Sequence, residues 1–367
     1  MSAVLVECQD PNQPPRIDEL ETLARSRGYY VVGRLVQRRS KPDPAFVIGR
    51  GKLKELKNMV KGLGAGNVIF ANTLKAGQAF RIRRELGWEI NVIDRNLLVL
   101  EIFEQRAMTR EAKLQIELAR LRYTLPWARE FVRYRNLYGE QVGFGAMGEY
   151  LHRIYESSAR RRIKVLKEEL AKARSKTLSR ALKRKEAGLP IVSLTGYTQA
   201  GKTTLFNLLA CEAKPVGLGP FTTLSTFARR VRLLDLDVIL VDSIGFIEDL
   251  HPLILDAFYA TLSELGSSDV VALIVDASDP LELVERRVST CKGVLYRVAP
   301  GVPIAVVLNK ADLVDEASLK EASKTVSNLL PSSPIVSVSA LYGVNVEEAA
   351  SMLRDLLIKQ GWRPEPL

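Results

Sequence analysis

Nine residues just past the middle of the chain, GYTQAGKTT from Gly196 to Thr204, follow the apolar run LPIVSLT and fit the spacing GxxxxGKT. Where a buried strand turns into a helix, that spacing makes a phosphate cradle. Gly196 and Gly201 let backbone amides wrap a β-phosphate, and Tyr197, Thr198, Gln199 and Ala200 supply the loop between them. Lys202 would reach the β- and γ-phosphates, the Thr203 hydroxyl would ligate magnesium, and Thr204 would extend the same helical turn. The helix that begins near Lys202 aims the positive end of its dipole at the same oxygens.

Three further segments decide which nucleotide this is. DSIG, Asp242 to Gly245, ends an apolar run; Asp242 can hold the metal through water and the Gly245 amide can bond the γ-phosphate. NKAD, Asn309 to Asp312, follows another, and there Asp312 can accept both the N1–H and the N2 amine of guanine while Asn309 and Lys310 brace the loop and cover the ring. Adenine offers no such donor pair. SAL, Ser339 to Leu341, brings the Ala340 amide to the guanine O6. Four short matches in this order, each at the carboxyl end of an expected strand, point to GTP and GDP with Mg2+.

The switch segment should lie between the loop and Asp242, in GPFTTLSTFARR, and must offer the metal a hydroxyl. Thr223 is the favoured ligand, with Thr222 in reserve and Phe221 beside them. Thr203, Thr223 and Asp242 are then the metal set, and Lys202, Thr223 and Gly245 the groups acting on the γ-phosphate. Phe246 stands where Ras-type enzymes carry the glutamine that orients the attacking water, so slow intrinsic hydrolysis, stimulated by a partner, is expected. Arg229 and Arg230 are near enough to be considered as fingers in cis.

The elements that must position these residues fall into blocks. The first hundred residues alternate strands (AVLVEC, YYVVGRLVQ, AFVIG, NVIFA, EINVID) with amphipathic helices near 16–27, 51–61 and 74–86, an α/β pattern with a largely parallel sheet. GRGKLKELK, with Gly49, Gly51 and Lys52, lacks the phosphate-loop spacing and reads as a strand-to-helix turn. From about Leu97 the period becomes helical. Leu114, Leu118, Leu121 and Leu125 form one stripe and Ile163, Leu166, Leu170 and Ala173 another, which predicts an antiparallel helix pair joined through the glycine-rich LYGEQVGFGAMGEY. The remainder alternates near-continuous Val, Ile and Leu runs with helices, as parallel strands buried on both faces require. The expected divisions are an N-terminal α/β domain (1–105), a helical hairpin with a basic helix (106–188), a Ras-like GTPase domain with a mostly parallel sheet (189–358) and a tail (359–367).

At 47% hydrophobic and 26% charged, the 367 residues read as a soluble globular protein of two or three units. No apolar run approaches the roughly 20 residues that span a bilayer, and the N-terminus carries no leader pattern, so a cytoplasmic location is expected; the chain is also expected to be a monomer. Cys8, Cys211 and Cys291 form no paired or metal-spaced pattern and read as small buried apolar residues. The net charge is +11, and residues 150–188 hold 13 Lys or Arg against 4 Asp or Glu. That concentration, with Arg160, Arg161, Arg162 and Lys164 adjacent and Arg129, Arg133 and Arg135 beside Tyr134 and Tyr138, suggests a polyanionic partner such as RNA.

FTTL, VDSIGFIEDL, VIGRGKLKELK and above all DRNLLVLEIFEQRAMTREAKLQIELARLRYTLPWAR resemble the HflX family of ribosome-associated GTPases, and the similarity covers nearly the whole chain. It implies an α/β domain, a helical subdomain with a glycine-rich loop, and a Ras-like domain lacking the catalytic glutamine. It also implies binding to the large ribosomal subunit, with dissociation or rescue of stalled ribosomes as the activity. The family's loop carries a GPGE-like element, whereas GAMGEY here keeps Gly148 and Glu149 without the proline. Two alternatives stand beside this reading: a GTP-binding switch for a protein partner with negligible hydrolysis, and a GTPase of RNA modification.

Overall fold

The computed structural model describes residues 1–107, 110–137, 156–173, 188–210, 227–243, 245–246, 251–255 and 262–363. They form two compact units, one of Met1–Gln105, Lys113–Lys172 and His251–Ala257, the other of Arg106–Ala112, Ala173–Leu250 and Phe258–Leu367.

The first unit starts with β1 (Ser2–Gln9), α1 (Ile17–Arg27), β2 (Tyr30–Arg38), α2 (Arg50–Gly62), β3 (Asn67–Phe70), α3 (Ala76–Leu86) and β4 (Asn91–Asp94). All four strands are parallel, in the order β2-β1-β3-β4. Val4, Val6, Val68, Phe70 and Val92 meet the inward stripes of α2 (Leu53, Leu56, Val60) and α3 (Ala79, Ile82, Leu86) in one core, as helical periodicity dictates. Gly28 ends α1 in the left-handed region at φ +95°, where a side chain would be strained.

AFVIG is not a strand. The Asp43 carboxylate accepts from the amides of Ala45 (2.8 Å) and Phe46 (3.0 Å), and Asp43 and Val47 exchange backbone hydrogen bonds. With Pro42 and Pro44 on either side of Asp43, the chain turns tightly and buries Val47 and Ile48 beneath α2.

β4 leads into α4 (Arg95–Arg106) and α5 (Arg110–Leu137). Asp94 is fully buried and accepts from the amides of Leu74 (3.0 Å) and Leu97 (2.9 Å) and from the Tyr123 hydroxyl (2.6 Å). Burial pushes its carboxyl pKa up, against the pull of the Tyr123 hydroxyl and those amides. Asn96 Nδ2 donates to Tyr123 at 3.2 Å, and Asn96 Oδ1 accepts the His251 amide at 3.2 Å just before the short turn α8 (252–255).

Helical residues 156–173, here α6, run antiparallel to α5. Arg162 grips Glu117 with Nε at 2.7 Å and Nη2 at 2.9 Å, and Arg129 pairs with Glu156. Leu114, Leu118, Leu166 and Leu170 are buried along the two stripes. These ion pairs qualify the basic cluster. Arg160 also pairs with Glu156, so Arg160 and Arg162 are partly neutralised, whereas Arg161, Lys164 and Lys167 stay exposed. The glycine-rich stretch 139–148, and Arg133, Arg135, Tyr134 and Tyr138 as side chains, lie outside the described residues.

The second unit contains β5 (Ile191–Gly196), α7 (Lys202–Ala210), β6 (Phe227–Leu233), β7 (Leu236–Asp242), β8 (Val270–Asp276), α9 (Leu281–Val298), β9 (Ile304–Asn309), α10 (Glu316–Leu329), β10 (Ile335–Ser337) and α11 (Val346–Lys359). The sheet order is β10-β9-β8-β5-β7-β6. β8 is buried at every residue, as a central parallel strand must be. Among the described strands of this sheet only β6 is antiparallel, paired with β7 at the edge. FARR, the end of the segment in which the switch is expected, begins this strand, which has Val231 and Leu233 buried and Arg229, Arg230 and Arg232 exposed. Cys8 and Cys291 are buried, as expected, and Cys211 lies outside the described residues. Among the described residues no helix is long and apolar enough to cross a membrane.

Candidate nucleotide-binding site

The segments singled out in the sequence converge at the carboxyl ends of β5, β7, β9 and β10, the edge where parallel α/β sheets place ligands. The loop between β5 and α7 is built on positive φ angles: +145° at Gly196, +67° at Gln199 and +91° at Gly201. Space also demands the two glycines. A Cβ on Gly196 would stand 2.1 Å from the Ile274 carbonyl oxygen, and one on Gly201 2.1 Å from Asn309 Nδ2.

Lys202 is buried, and its Nζ donates to the Tyr197 carbonyl at 2.7 Å. Burial pushes its pKa down to about 8, against the pull of Asp242. The buried Thr203 hydroxyl donates to Asp242 Oδ2 at 3.2 Å. A hydroxyl and a carboxylate this close are hard oxygen donors of the kind magnesium takes beside phosphate oxygens, so the pair fits the ion. Gly245 lies against the phosphate loop, where a Cβ would stand 3.1 Å from the Thr198 Cα. Phe246 is buried; its amide donates to the Gly196 carbonyl and its carbonyl accepts the Thr198 amide, both at 2.9 Å.

On the base side, Asn309 ties three segments together. Its Nδ2 donates to the Ala200 carbonyl at 2.8 Å and its Oδ1 accepts the Ala340 amide at 2.9 Å. Asp312 Oδ1 accepts the Ser339 hydroxyl at 2.5 Å, which aims that carboxylate. Leu341 is exposed at the rim. Lys310, in the left-handed region at φ +64°, pairs with Asp276 at the end of β8. Thr204 is half-buried on the first turn of α7. Phe221, Thr222 and Thr223 lie outside the described residues.

The same organisation appears in known proteins. Three family models match in succession: GTP-binding GTPase N-terminal over residues 15–104, GTP-binding GTPase Middle Region over 106–185, and 50S ribosome-binding GTPase over 191–310. GTPase HflX of Thermofilum pendens is 43% identical over 309 residues, covering 84% of this chain and 72% of its own. The chain belongs to the GTPase HflX family. GTPase HflX of Thermococcus kodakarensis is 40% identical over 347 residues, 93% of this chain and 77% of its own. A crystal structure of a GTP-binding protein from Sulfolobus solfataricus in complex with GDP is 28% identical, with a TM-score of 0.55 over 98% of this chain and all of the other. Membership makes the chain a GTPase, with GTP and GDP as its nucleotides and Mg2+ as their ion.

Within this HflX-family site, two sequence expectations change. Arg230 is no free finger, because Nη2 is bound to Asp237 Oδ2 at 2.5 Å across the β6–β7 pair. Asp276 belongs to the constellation and was not among the residues expected there. Its position at a strand's carboxyl end, in VDASD beside the site, is the signal that could have found it.

Proposed function

We propose that this protein binds GTP at the carboxyl edge of the second unit, associates in that state with the large ribosomal subunit, and releases after hydrolysis, in ribosome dissociation or rescue. The observation that carries the nucleotide reading is Asn309, which joins the phosphate loop to the Ser339–Leu341 segment while Ser339 aims Asp312. That arrangement holds a phosphate cradle and a guanine-reading carboxylate in one rigid frame.

In this reading the amides of residues 196–204 surround the β-phosphate and Lys202 carries charge to the β- and γ-phosphates. Thr203 and Asp242, with Thr223 from the switch segment, would hold the magnesium, which would neutralise phosphate charge. The Gly245 amide donates to the γ-phosphate, Asp312 accepts from guanine N1–H and N2, the Ala340 amide donates to O6, and Lys310 covers the ring. Phe246 has no group to orient water, and its backbone is engaged by Gly196 and Thr198. Rapid hydrolysis therefore depends on a partner that orders the switches.

Support for the ribosome as that partner comes from the family and from charge. The matched model over 191–310 describes a 50S ribosome-binding GTPase, and Arg161, Lys164 and Lys167 line the outer face of α6. Residues 106–188 would act as the ribosome-facing helical subdomain, and Gly188–Pro190 as the hinge to the GTPase domain of a cytoplasmic monomer. Cosedimentation with purified ribosomal subunits tests this. Binding to the large subunit with a nonhydrolysable GTP analogue and loss of binding with GDP are expected; equal behaviour in both states would refute the proposal.

A further inference from the structure

Tyr197, the first residue after Gly196 in the phosphate loop, is buried where that loop backs onto α9. The Arg287 guanidinium lies over its ring, 4.3 Å from the centroid, and is ion-paired to Asp279 in the β8–α9 connection. The other α9 residues lining this small pocket, Val284, Val288 and Cys291, lie one to four positions away and are apolar. A cation at that position therefore has a task that packing does not explain. Its Nε is buried without a hydrogen-bond partner among the described residues, so the ring face and one carboxylate are what hold it.

The residue under Arg287 is central to the loop. The Tyr197 carbonyl accepts Lys202 Nζ, and Tyr197 forms a parallel bridge with Phe246. Three residues before Asp279, Asp276 at the end of β8 pairs with Lys310 on the base side.

We propose that Arg287, seated by Asp279, is a positioning residue for nucleotide binding: stacked on Tyr197, it holds the phosphate loop in its gripping conformation and strengthens GDP and GTP binding alike. A cation over a tyrosine face in a partly desolvated pocket is attracted to the ring quadrupole. A loop fixed before the ligand arrives loses less freedom on binding. Base choice rests on Asp312 and is not affected.

Affinities for fluorescent GDP and GTP analogues across a short variant series test this. Arg287→Met, which keeps volume without charge, should weaken both nucleotides about tenfold through faster dissociation, and Arg287→Lys should recover to within about threefold of wild type. Arg287→Met added to Tyr197→Ala should cost less than about a further twofold. Preference for GDP over ADP should not move in any of them. Wild-type affinity in Arg287→Met, absence of rescue by lysine, or additive losses in the double variant would each overturn the proposal.

Discussion

Both units hold a sheet of parallel strands, joined in the second by the antiparallel β6, and they end their strands in opposite ways. In the first unit, side chains close the carboxyl edge. Asn72 accepts the Cys8 amide at 2.8 Å and donates to the Cys8 carbonyl at 2.9 Å, Glu7 accepts the Arg16 amide at 2.9 Å, and Asp94 is fixed by Tyr123 and two amides. In the second unit, Gly196 and Gly201 remove side chains where they would collide, and four strand ends contribute short polar segments around one loop. A nucleotide site follows from the chemistry of the loops and not from the architecture that both units share.

The largest expected effect lies in the second unit. Lys202→Ala should weaken GDP and GTP at least about a hundredfold while the fold persists, because charge-assisted contacts to phosphate are lost. Calorimetry showing near wild-type affinity would mean that the loop is not the phosphate site. Next, Asp312→Asn should lower the preference for GTP over XTP by about a hundredfold, since the amide can donate to the xanthine C2 carbonyl and can no longer accept both guanine protons. Competition binding measures it, and unchanged selectivity would place base reading elsewhere.

The first unit should answer in stability and not in affinity. Asp94→Ala leaves the Leu74 and Leu97 amides and the Tyr123 hydroxyl without their acceptor, and should cost about 3 kcal/mol in urea unfolding. Its GDP affinity should equal wild type, and a parallel loss of affinity would erase the contrast between the two edges. Smaller still, Phe246→Gln should raise single-turnover GTP hydrolysis by less than about threefold, because in the proposed mechanism hydrolysis also needs a partner acting on the switches. A large gain would show that the glutamine was the only deficit. Arg162→Ala, at a half-exposed ion pair, should change stability by less than about 1 kcal/mol.

Much of the second unit is legible in the sequence because its signals are contiguous. GYTQAGKTT, DSIG, NKAD and SAL each need only a few neighbouring residues, and unbroken apolar strands announce where they sit. What escaped the sequence depends on distant partners. FARR follows the switch segment without a break in the sequence, and its strand is defined by pairing with β7; at this sheet edge the arginines are exposed and Val231 and Leu233 face the core. AFVIG has strand composition, yet the Asp43 carboxylate bends it. Arg160 and Arg162 look like free positive charge until Glu156 and Glu117 reach them, the latter from 45 residues upstream. The Asp279–Arg287–Tyr197 assembly joins a strand end, a helix and the phosphate loop, and no short pattern records it.

The central claim joins base reading at Asp312 to ribosome association, and one experiment addresses both. Asp312→Asn is sedimented with purified large ribosomal subunits in the presence of nonhydrolysable XTP or GTP analogues. Cosedimentation with the XTP analogue and its loss with the GTP analogue is the predicted result. Association that ignores the nucleotide, or that still follows the GTP analogue, would contradict the account.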